Sequence, residues 1–357
     1  MPKTFDLLTS VTVDYIPQAV MTLDSARRCC GFHGFYIFAA DASDRAIVQL
    51  REQFKSAGLD WIGIFGPLDL GDKSDVFLEK FNYYNKFELS NLAKYFGVSH
   101  VLNAPDSSDV CVFVDTDTLF FDDVVPVVAA MDGYAAYVTP HLMGPSTVDE
   151  EHDIMIHGWI NAGFFAFDSN HPETGQILGW LMDRISARGY QLPLVGLSAD
   201  QTWMSGIPVL FRDAVMVSDY HGLNVAYWNL AERPLERSEG GGYLAAGVPL
   251  VMFHYSGFNV ADRGQLTTHF DSPVIPGSAL DEICQKYRNG LGRHKDVIET
   301  IDPLTVLSST RKGMVSRIKS RERQCGATIY KTMPRPGIFS MVGSKIDAVF
   351  RRLGVTQ

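Results

Sequence analysis

Val110-Cys111-Val112-Phe113-Val114-Asp115-Thr116-Asp117-Thr118-Leu119-Phe120-Phe121 decides how this 357-residue chain is read. The run from Val110 to Val114 is wholly apolar, the composition of a strand buried on both faces as a central parallel strand is. Two aspartates then interrupt it. A lone ionised carboxylate is very costly to desolvate, so Asp115 and Asp117 belong at the C-terminal end of the strand and not inside it. At this spacing the side chains leave the same side of an extended backbone, roughly 6–7 Å apart at Cα. Both then reach one hard divalent ion and the phosphates it carries, and oxygen ligands of this kind suit Mg²⁺ or Mn²⁺. The competing reading is a solvated loop with two surface aspartates.

Upstream, strand and helix patterns alternate. Phe5 to Val13 reads as a strand, followed by a loop through Asp14 and Tyr15 and a helix carrying Ala19, Val20, Leu23 and Ala26. Phe35 to Asp41 is a second strand, Asp44 to Ala57 a helix, and Trp61 to Phe65 a third strand. This order argues for a parallel, doubly wound α/β sheet. The loop after a first strand, here Thr12 to Tyr15, is where such a sheet places a nucleotide. No Gly-x-Gly-x-x-Gly follows the first strand, which leaves a dinucleotide-binding unit unsupported. Asp75 to Phe96 reads as one long helix ended by Gly97, with Lys86 in its middle either solvated or facing phosphate.

Downstream, Asp122 to Met131 reads as a helix and Ala135 to Thr139 as a strand, while His141 to His157 is a polar loop, functional or solvated. Trp159 to Asp168 is a strand opening with Asn161, Ala162 and Gly163, small residues that let a ligand approach the backbone. A helix from Glu173 to Ala187 precedes Asp200 and Gln201, which read as an N-cap pair unless they bind something. Pro249 to Phe253 reads as the last core strand, breaking into His254, Tyr255, Ser256 and Gly257.

Composition bounds the function. Hydrophobic residues make up 46% and charged residues 20%, ample material for a core, and no run reaches the roughly 18–20 apolar residues of a membrane span. The start carries no signal-peptide apolar region, so a cytoplasmic location is expected. The five cysteines imply neither a disulfide framework nor a zinc cluster. The net charge of -10 divides into -18 for residues 1–280 and +8 for residues 281–357. So acidic a body excludes a general nucleic-acid partner. The basic residues of 311–357 are interleaved with apolar ones, as in Met314 to Lys319 and Ile346 to Arg352, a pattern suited to an anionic membrane surface. The alternative for the extension, above all just after Asp281, is a helix that packs its apolar stripe on the catalytic domain with its charges in water.

The ordered set Asp115-x-Asp117, Asn161-Ala162-Gly163, Asp200-Gln201 and His254-Tyr255-x-Gly257 resembles the nucleotide-sugar glycosyltransferases of the GT-A fold, and among them retaining family 8, the glycogenin-like and lipopolysaccharide galactosyltransferase-like enzymes. The later motifs begin 46, 85 and 139 residues after Asp115. The resemblance implies a GT-A (Rossmann-like) mixed, mostly parallel α/β sheet flanked by helices. Residues 1–280 would be the catalytic domain, with a nucleotide-binding half to about 121 and an acceptor-side half from 122, and 281–357 a basic helical C-terminal extension. It implies transfer of a hexose from a nucleoside-diphosphate sugar, a UDP-sugar first, to a glycan or lipid-linked acceptor with retention. Asp115, Asp117 and His254 would hold Mn²⁺ or Mg²⁺ on the donor diphosphate. Asn161, Asp200 and Gln201 would face the donor sugar as catalytic residues. Thr12, Tyr15, Lys86, Thr116, Ala162, Gly163, Gly257 and Arg263 would complete the donor site.

Two positions depart from the pattern. Val260 stands where the family places a lysine, with Arg263 three residues on as its substitute, and His141 and Leu142 stand where a sugar-binding aspartate is expected. Rival readings are a sugar-nucleotide nucleotidyltransferase or pyrophosphorylase, which needs a glycine-rich basic loop that Thr12 to Ala19 lacks, and a non-catalytic sugar-binding relative, which the intact Asp115, Asp117 and His254 oppose.

Overall fold

The computed structural model describes residues 2–304 apart from 194, 195, 295, 300 and 302. The basic segment 311–357, expected at a membrane surface, lies outside these described residues.

Four parallel strands start the sheet: β1 (Phe5–Val11), β2 (Gly34–Ala39), β3 (Ile62–Phe65) and β4 (Val110–Val114). Between them lie α1 (Ile16–Cys29), α2 (Asp44–Ser56), α3 (Ser74–Glu79) and α4 (Lys86–Leu102). The short β5 (Thr118–Phe120) and α5 (Val125–Val128) lead to β6 (Ala136–Pro140), α6 (Val148–His157) and β7 (Ile160–Asp168). Next come α7 (Thr174–Arg188), the hairpin β8 (Gln191–Leu192) and β9 (Leu197–Ser198), α8 (Gln201–Met204), α9 (Ile207–Leu210) and β10 (Val215–Val217). A small sheet of β11 (Leu235–Arg237), β12 (Tyr243–Ala245) and β13 (Val248–Pro249) precedes β14 (Met252–His254) and α10 (Ala279–His294). The main sheet has seven strands in the order β10-β6-β7-β4-β1-β2-β3. It is the expected mixed, mostly parallel α/β sheet: β7 alone runs antiparallel to its neighbours β4 and β6.

That one reversed strand assembles the site. All nine residues of β7 are buried, and its direction sets its first residues beside the last residues of β4, with Phe164 opposite Val114. The Asp115 N–H continues the ladder to Gly163 O at 2.9 Å. A second pairing brings in the far end of the chain, because β14 lies antiparallel on β5 with His254 opposite Thr118.

Apolar side chains fill both faces of the sheet. Phe38, Phe77, Leu92, Phe113 and Phe165 form one layer under α4, and Ile16, Val20, Ile37, Leu50, Val112 and Phe164 form the other under α1 and α2. Each side chain of this size contributes about 1.5–3 kcal/mol on full burial. α10 closes over α1, and Tyr287 stacks on Tyr255 with ring centroids 4.0 Å apart.

Several elements differ from the sequence expectation. The helix expected from Asp75 to Phe96 is two, because Asn85 leaves helical geometry and caps α4 by accepting from Glu88 N while the Glu88 carboxylate accepts from Asn85 N. Lys86 is therefore a first-turn residue, and the second helix runs through Gly97 to Leu102. Gly97 does not stop it, because there a Cβ would come within 3.0 Å of Leu8 Cδ2, so the glycine serves close packing of helix on sheet. The polar loop expected from His141 to His157 contains α6, begun by the same reciprocal cap between Thr147 and Glu150. Between Asp122 and Met131 only Val125–Val128 is α-helical, followed by a single 3-10 turn. Pro249 to Phe253 is not a strand of the main sheet: β14 pairs with β5 and forms a single parallel bridge from Phe253 to Val225.

Candidate functional site

Asp115, Asp117, Asn161, Asp200, Gln201 and His254, far apart in the chain, line one open cavity of about 790 Å³ at the C-terminal end of β4. One oxygen from each of Asp115 and Asp117 and one nitrogen of His254 lie within 4.8 Å of one another.

Each of the three is held by its neighbours. Asp117 O accepts from Tyr255 N at 2.6 Å, which ties the turn after β4 to the end of β14. Gly163 lets the imidazole of His254 rest on the strand, since a Cβ there would lie 2.5 Å from His254 Cε1. His254 Nδ1 is 3.1 Å from Asn224 Oδ1. Asn224 Nδ2 in turn donates to Thr139 Oγ1 at 2.8 Å and Asn161 Oδ1 at 2.9 Å. With its NH₂ group so used, Asn224 offers His254 an acceptor, which assigns the imidazole proton to Nδ1 and turns the Nε2 lone pair toward Asp117 Oδ1 at 3.1 Å. Two acceptors then face each other, an arrangement that a proton or a cation satisfies. Burial works against charge on His254, yet the Asp117 carboxylate outweighs it and holds the imidazole above its ordinary range. Burial likewise raises Asp117, but His254 prevails and holds it below the usual carboxylate range. Two carboxylates and an imidazole offering Nε2, with an outer hydrogen bond fixing the ring, are a donor set that fits a divalent metal ion.

The signal missed in the sequence is Lys94. It sits inside the apolar stretch Leu92-Ala93-Lys94-Tyr95-Phe96 of α4 and is buried, a position that only a paired cation occupies. Its Nζ donates to Ala162 O at 3.0 Å and stands 3.0 Å from Asp115 Oδ1 and 3.4 Å from Asp200 Oδ2. Burial opposes its charge, but the two aspartates hold it above the ordinary lysine range. Asp200 also accepts from Tyr95 Oη at 2.9 Å. Burial pushes its carboxyl up, against the pull of Lys94. One lysine thus faces Asp115, Asp117 and Asp200, leaving negative charge to attract a cation.

Asn161 is fully engaged. Its Oδ1 accepts from Gly163 N at 2.9 Å as well as from Asn224, and its Nδ2 contacts Gln201 Oε1 and His141 Nε2, each at 3.1 Å. Gln201 Nε2 donates to His157 O at 3.1 Å. Asn161 therefore joins the metal-ligand side to the Gln201 side. His141 stands against Trp228 with centroids 5.1 Å apart, and burial lowers its pKa to about 3, so it is a neutral acceptor for Asn161. Asn224 carried no motif signal, and His141 stood out only as occupying the place of an expected sugar-binding aspartate, since their roles arise from contacts between distant segments.

The other expected donor residues divide. Ala162 supplies a carbonyl to Lys94, and Thr116 O accepts from Thr22 Oγ1 at 2.6 Å, outside the cavity lining. Thr12, Tyr15 and Lys86 group at the ends of β1 and β2, where Lys86 pairs with Asp14 and lies 3.9 Å from Asp41 Oδ2. Lys86 is thus not beside Asp115; Lys94, two turns along α4, is. Gly257 has φ of 61° and follows Ser256 at the cavity edge. Arg263 is exposed and is absent from the lining.

No protein-family profile matches the sequence. The chain is similar to an uncharacterized protein of Bacillus subtilis (strain 168), YfnF, at 24% identity over 212 residues, 57% of this chain and 66% of that one, just under two thirds of its length. Among solved structures it is similar to the galactosyltransferase LgtC in complex with donor and acceptor sugar analogues, at TM-score 0.48 and 14% identity, covering 83% of this chain and 97% of that one. It is also similar to the glycosyltransferase GlyE of Streptococcus pneumoniae TIGR4, at TM-score 0.48 and 15% identity over 80% of this chain and 60% of that one. A third is mouse xyloside xylosyltransferase 1, at TM-score 0.42 and 12% identity over 71% and 97% of the two chains.

Proposed function

We propose that the chain is a metal-dependent glycosyltransferase that moves a hexose from a nucleoside-diphosphate sugar, a UDP-sugar first, to a glycan or lipid-linked acceptor with retention. The observation that carries this reading is the convergence of Asp115, Asp117 and His254 within 4.8 Å, in the same cavity as Lys94, Asp200 and Gln201. Asp115, Asp117 and His254 would hold the divalent ion, which when bound supplies positive charge for the departing diphosphate. Asp200 and Gln201 would face the sugar and shield its oxocarbenium-like carbon, with Lys94 standing 3.4 Å from Asp200 Oδ2. In the transfer the C1–O bond to the diphosphate breaks and its electron pair leaves with the diphosphate. The acceptor oxygen bonds C1 on the same face, and its proton passes to the diphosphate. Thr12 and Tyr15, with Lys86 between Asp14 and Asp41, would border the nucleoside.

A thermal-shift panel of nucleoside diphosphates with and without Mn²⁺ tests the reading, since a ligand that binds only the folded state raises its stability. Metal-dependent stabilisation by one base is expected. A panel with no metal-dependent shift for any base sinks it.

Among the described residues no helix is long and apolar enough to cross a membrane. Within the same reading, a cytoplasmic enzyme would reach a lipid-linked acceptor through residues 311–357. Salt-sensitive sedimentation with anionic liposomes by the full chain, but not by one ending at Ser309, is the expected result. Equal sedimentation of both removes the membrane role.

A further inference from the structure

We infer that His269, together with the backbone N–H groups of Ser256 and Gly257, grips the β-phosphate of the donor and stabilises its charge as it leaves; this rests on the glycosyltransferase reading. A departing diphosphate needs hydrogen-bond donors already aimed at the charge it develops. Among the described residues lining the cavity, Lys94 is the sole lysine or arginine, and its Nζ is committed to Asp115, Asp200 and Ala162 O. Arg263, the substitute expected from the sequence, is exposed and does not line the cavity. The diphosphate therefore has to find its donors elsewhere on the wall.

The turn after β14 offers them. Ser256 and His269 line the cavity together with Asp117 and His254. Gly257 is in the left-handed region at φ of 61°, and Phe258 N donates to Tyr255 O at 3.0 Å, which closes Tyr255 to Phe258 into a tight turn with Gly257 at its third position. Among the described residues neither Ser256 N nor Gly257 N has a backbone partner. The imidazole of His269 lies directly on this turn, because a Cβ on Gly257 would come 2.3 Å from His269 Nε2. Glycine is needed there on two counts, conformation and contact.

The two pieces are fastened to one another. Thr267 Oγ1 donates to Ser256 O at 3.0 Å and accepts from His269 N at 3.3 Å, and Thr268 N donates to Gly257 O at 2.8 Å. Tyr227 stands against the imidazole with centroids 5.5 Å apart. His269 thus has its backbone tied to the turn and its exposed imidazole over it, offering a ring nitrogen to phosphate oxygen. His254 and Asp117 take the metal side of the same diphosphate.

Calorimetric titration of UDP and UMP in Mn²⁺, or the same pair for the base the panel selects, tests the assignment with wild type, His269→Ala, His269→Gln and His269→Lys. A hydrogen bond to a charged group corresponds to roughly 10- to 100-fold. His269→Ala should therefore weaken the diphosphate by about that factor and lower kcat by a similar one, with the monophosphate unchanged. His269→Lys and His269→Gln, which keep a donor, should recover part of both. A wild-type protein that binds neither nucleotide overturns the glycosyltransferase reading and this assignment with it. Wild-type binding of UDP with an unchanged diphosphate-to-monophosphate preference in His269→Ala, including equal weakening of both, overturns the His269 assignment alone.

Discussion

Asp117 and Asn224 carry different burdens, and substitution separates them. The Asp117 side chain is about a third exposed, at 34%, so Asp117→Ala opens no core. It should abolish the Mn²⁺-dependent nucleotide shift and transfer while the unliganded protein still folds cooperatively, its melting temperature lowered only by the lost contact with His254. Wild-type turnover in that variant removes the metal assignment. Asn224 is wholly buried and makes no ligand bond of its own. Asn224→Ala frees the imidazole of His254 to turn or to change tautomer, and loss of such an outer partner typically weakens a metal by 10- to 100-fold. It also orphans Asn161 Oδ1 on one side, at about 1–3 kcal/mol of stability. Mn²⁺ titration should show the affinity loss even after the melting curve is taken into account. Lys94→Met is the harsher change, because it strands Asp115 and Asp200 together with no cation near them. Removing one partner of a buried ion pair costs about 3–5 kcal/mol, and added Mn²⁺ should return more of that loss here than in any variant of the three expected ligands.

At the scale of elements, the sequence read well wherever one local rule dominated. The buried strand before Asp115, the helix through Val20 and Leu23, and the Asn161 strand were all legible because period and polarity change sharply at their ends. The long helix of Asp75 to Phe96 failed because its apolar spacing continues across Tyr83 and Asn85, whereas the cap formed by Asn85 and Glu88 ends that regularity. The same type of cap, Thr147 with Glu150, was hidden in a stretch that looked like a loop because five of its residues are charged or titratable between Asp149 and Asp153. Lys94 was concealed for a third reason: an isolated lysine in an apolar helix reads as noise until its two aspartates, brought from β4 and the start of α8, are in place. α6 supplies a test at this scale. Only Ile154 of this helix is buried, so its cap is a large part of its stability, and its acidic face borders the cavity. Thr147→Ala should cost about 1 kcal/mol locally. Hydrogen exchange should rise within 148–157 and stay unchanged in β4 and β7. Faster exchange in β7 as well means that α6 is not an independent unit.

At the scale of the molecule, the charge asymmetry meets the fold at α10, which opens the basic part of the chain and lies on α1 of the acidic body. Gly290 lets the helices approach, since a Cβ there would fall 2.6 Å from Met21 Sδ. One turn further on, His294 Nε2 is 3.6 Å from Asp24 Oδ2, and Asp24 also pairs with Arg28. The Asp24 carboxylate 3.6 Å away holds His294 above its ordinary 6.5, with burial opposing. The imidazole of His294 in turn holds Asp24 below its ordinary 3.8, again against burial and with help from Arg28. The signs follow from these directions. The raised histidine gives stability that is complete below its unfolded value and is lost as pH rises through its folded value. The lowered aspartate gives stability that is complete above its unfolded value and is lost as pH falls through its folded value. The pair therefore contributes most between about pH 4 and pH 6.5, the ordinary values of the two groups. Both side chains are partly exposed, at 31% and 16%, so solvent and salt screen the pair to no more than about 1 kcal/mol. His294→Gln keeps a polar side chain and removes the charge. The stability gap between wild type and this variant, measured by urea unfolding, should be larger at pH 5.5 than at pH 8.5, and should shrink at pH 5.5 when salt is raised to 1 M. A gap that is the same at both pH values means that α10 is held to α1 by Tyr287, Ile283 and the Gly290 contact, and that the ion pair is incidental to it.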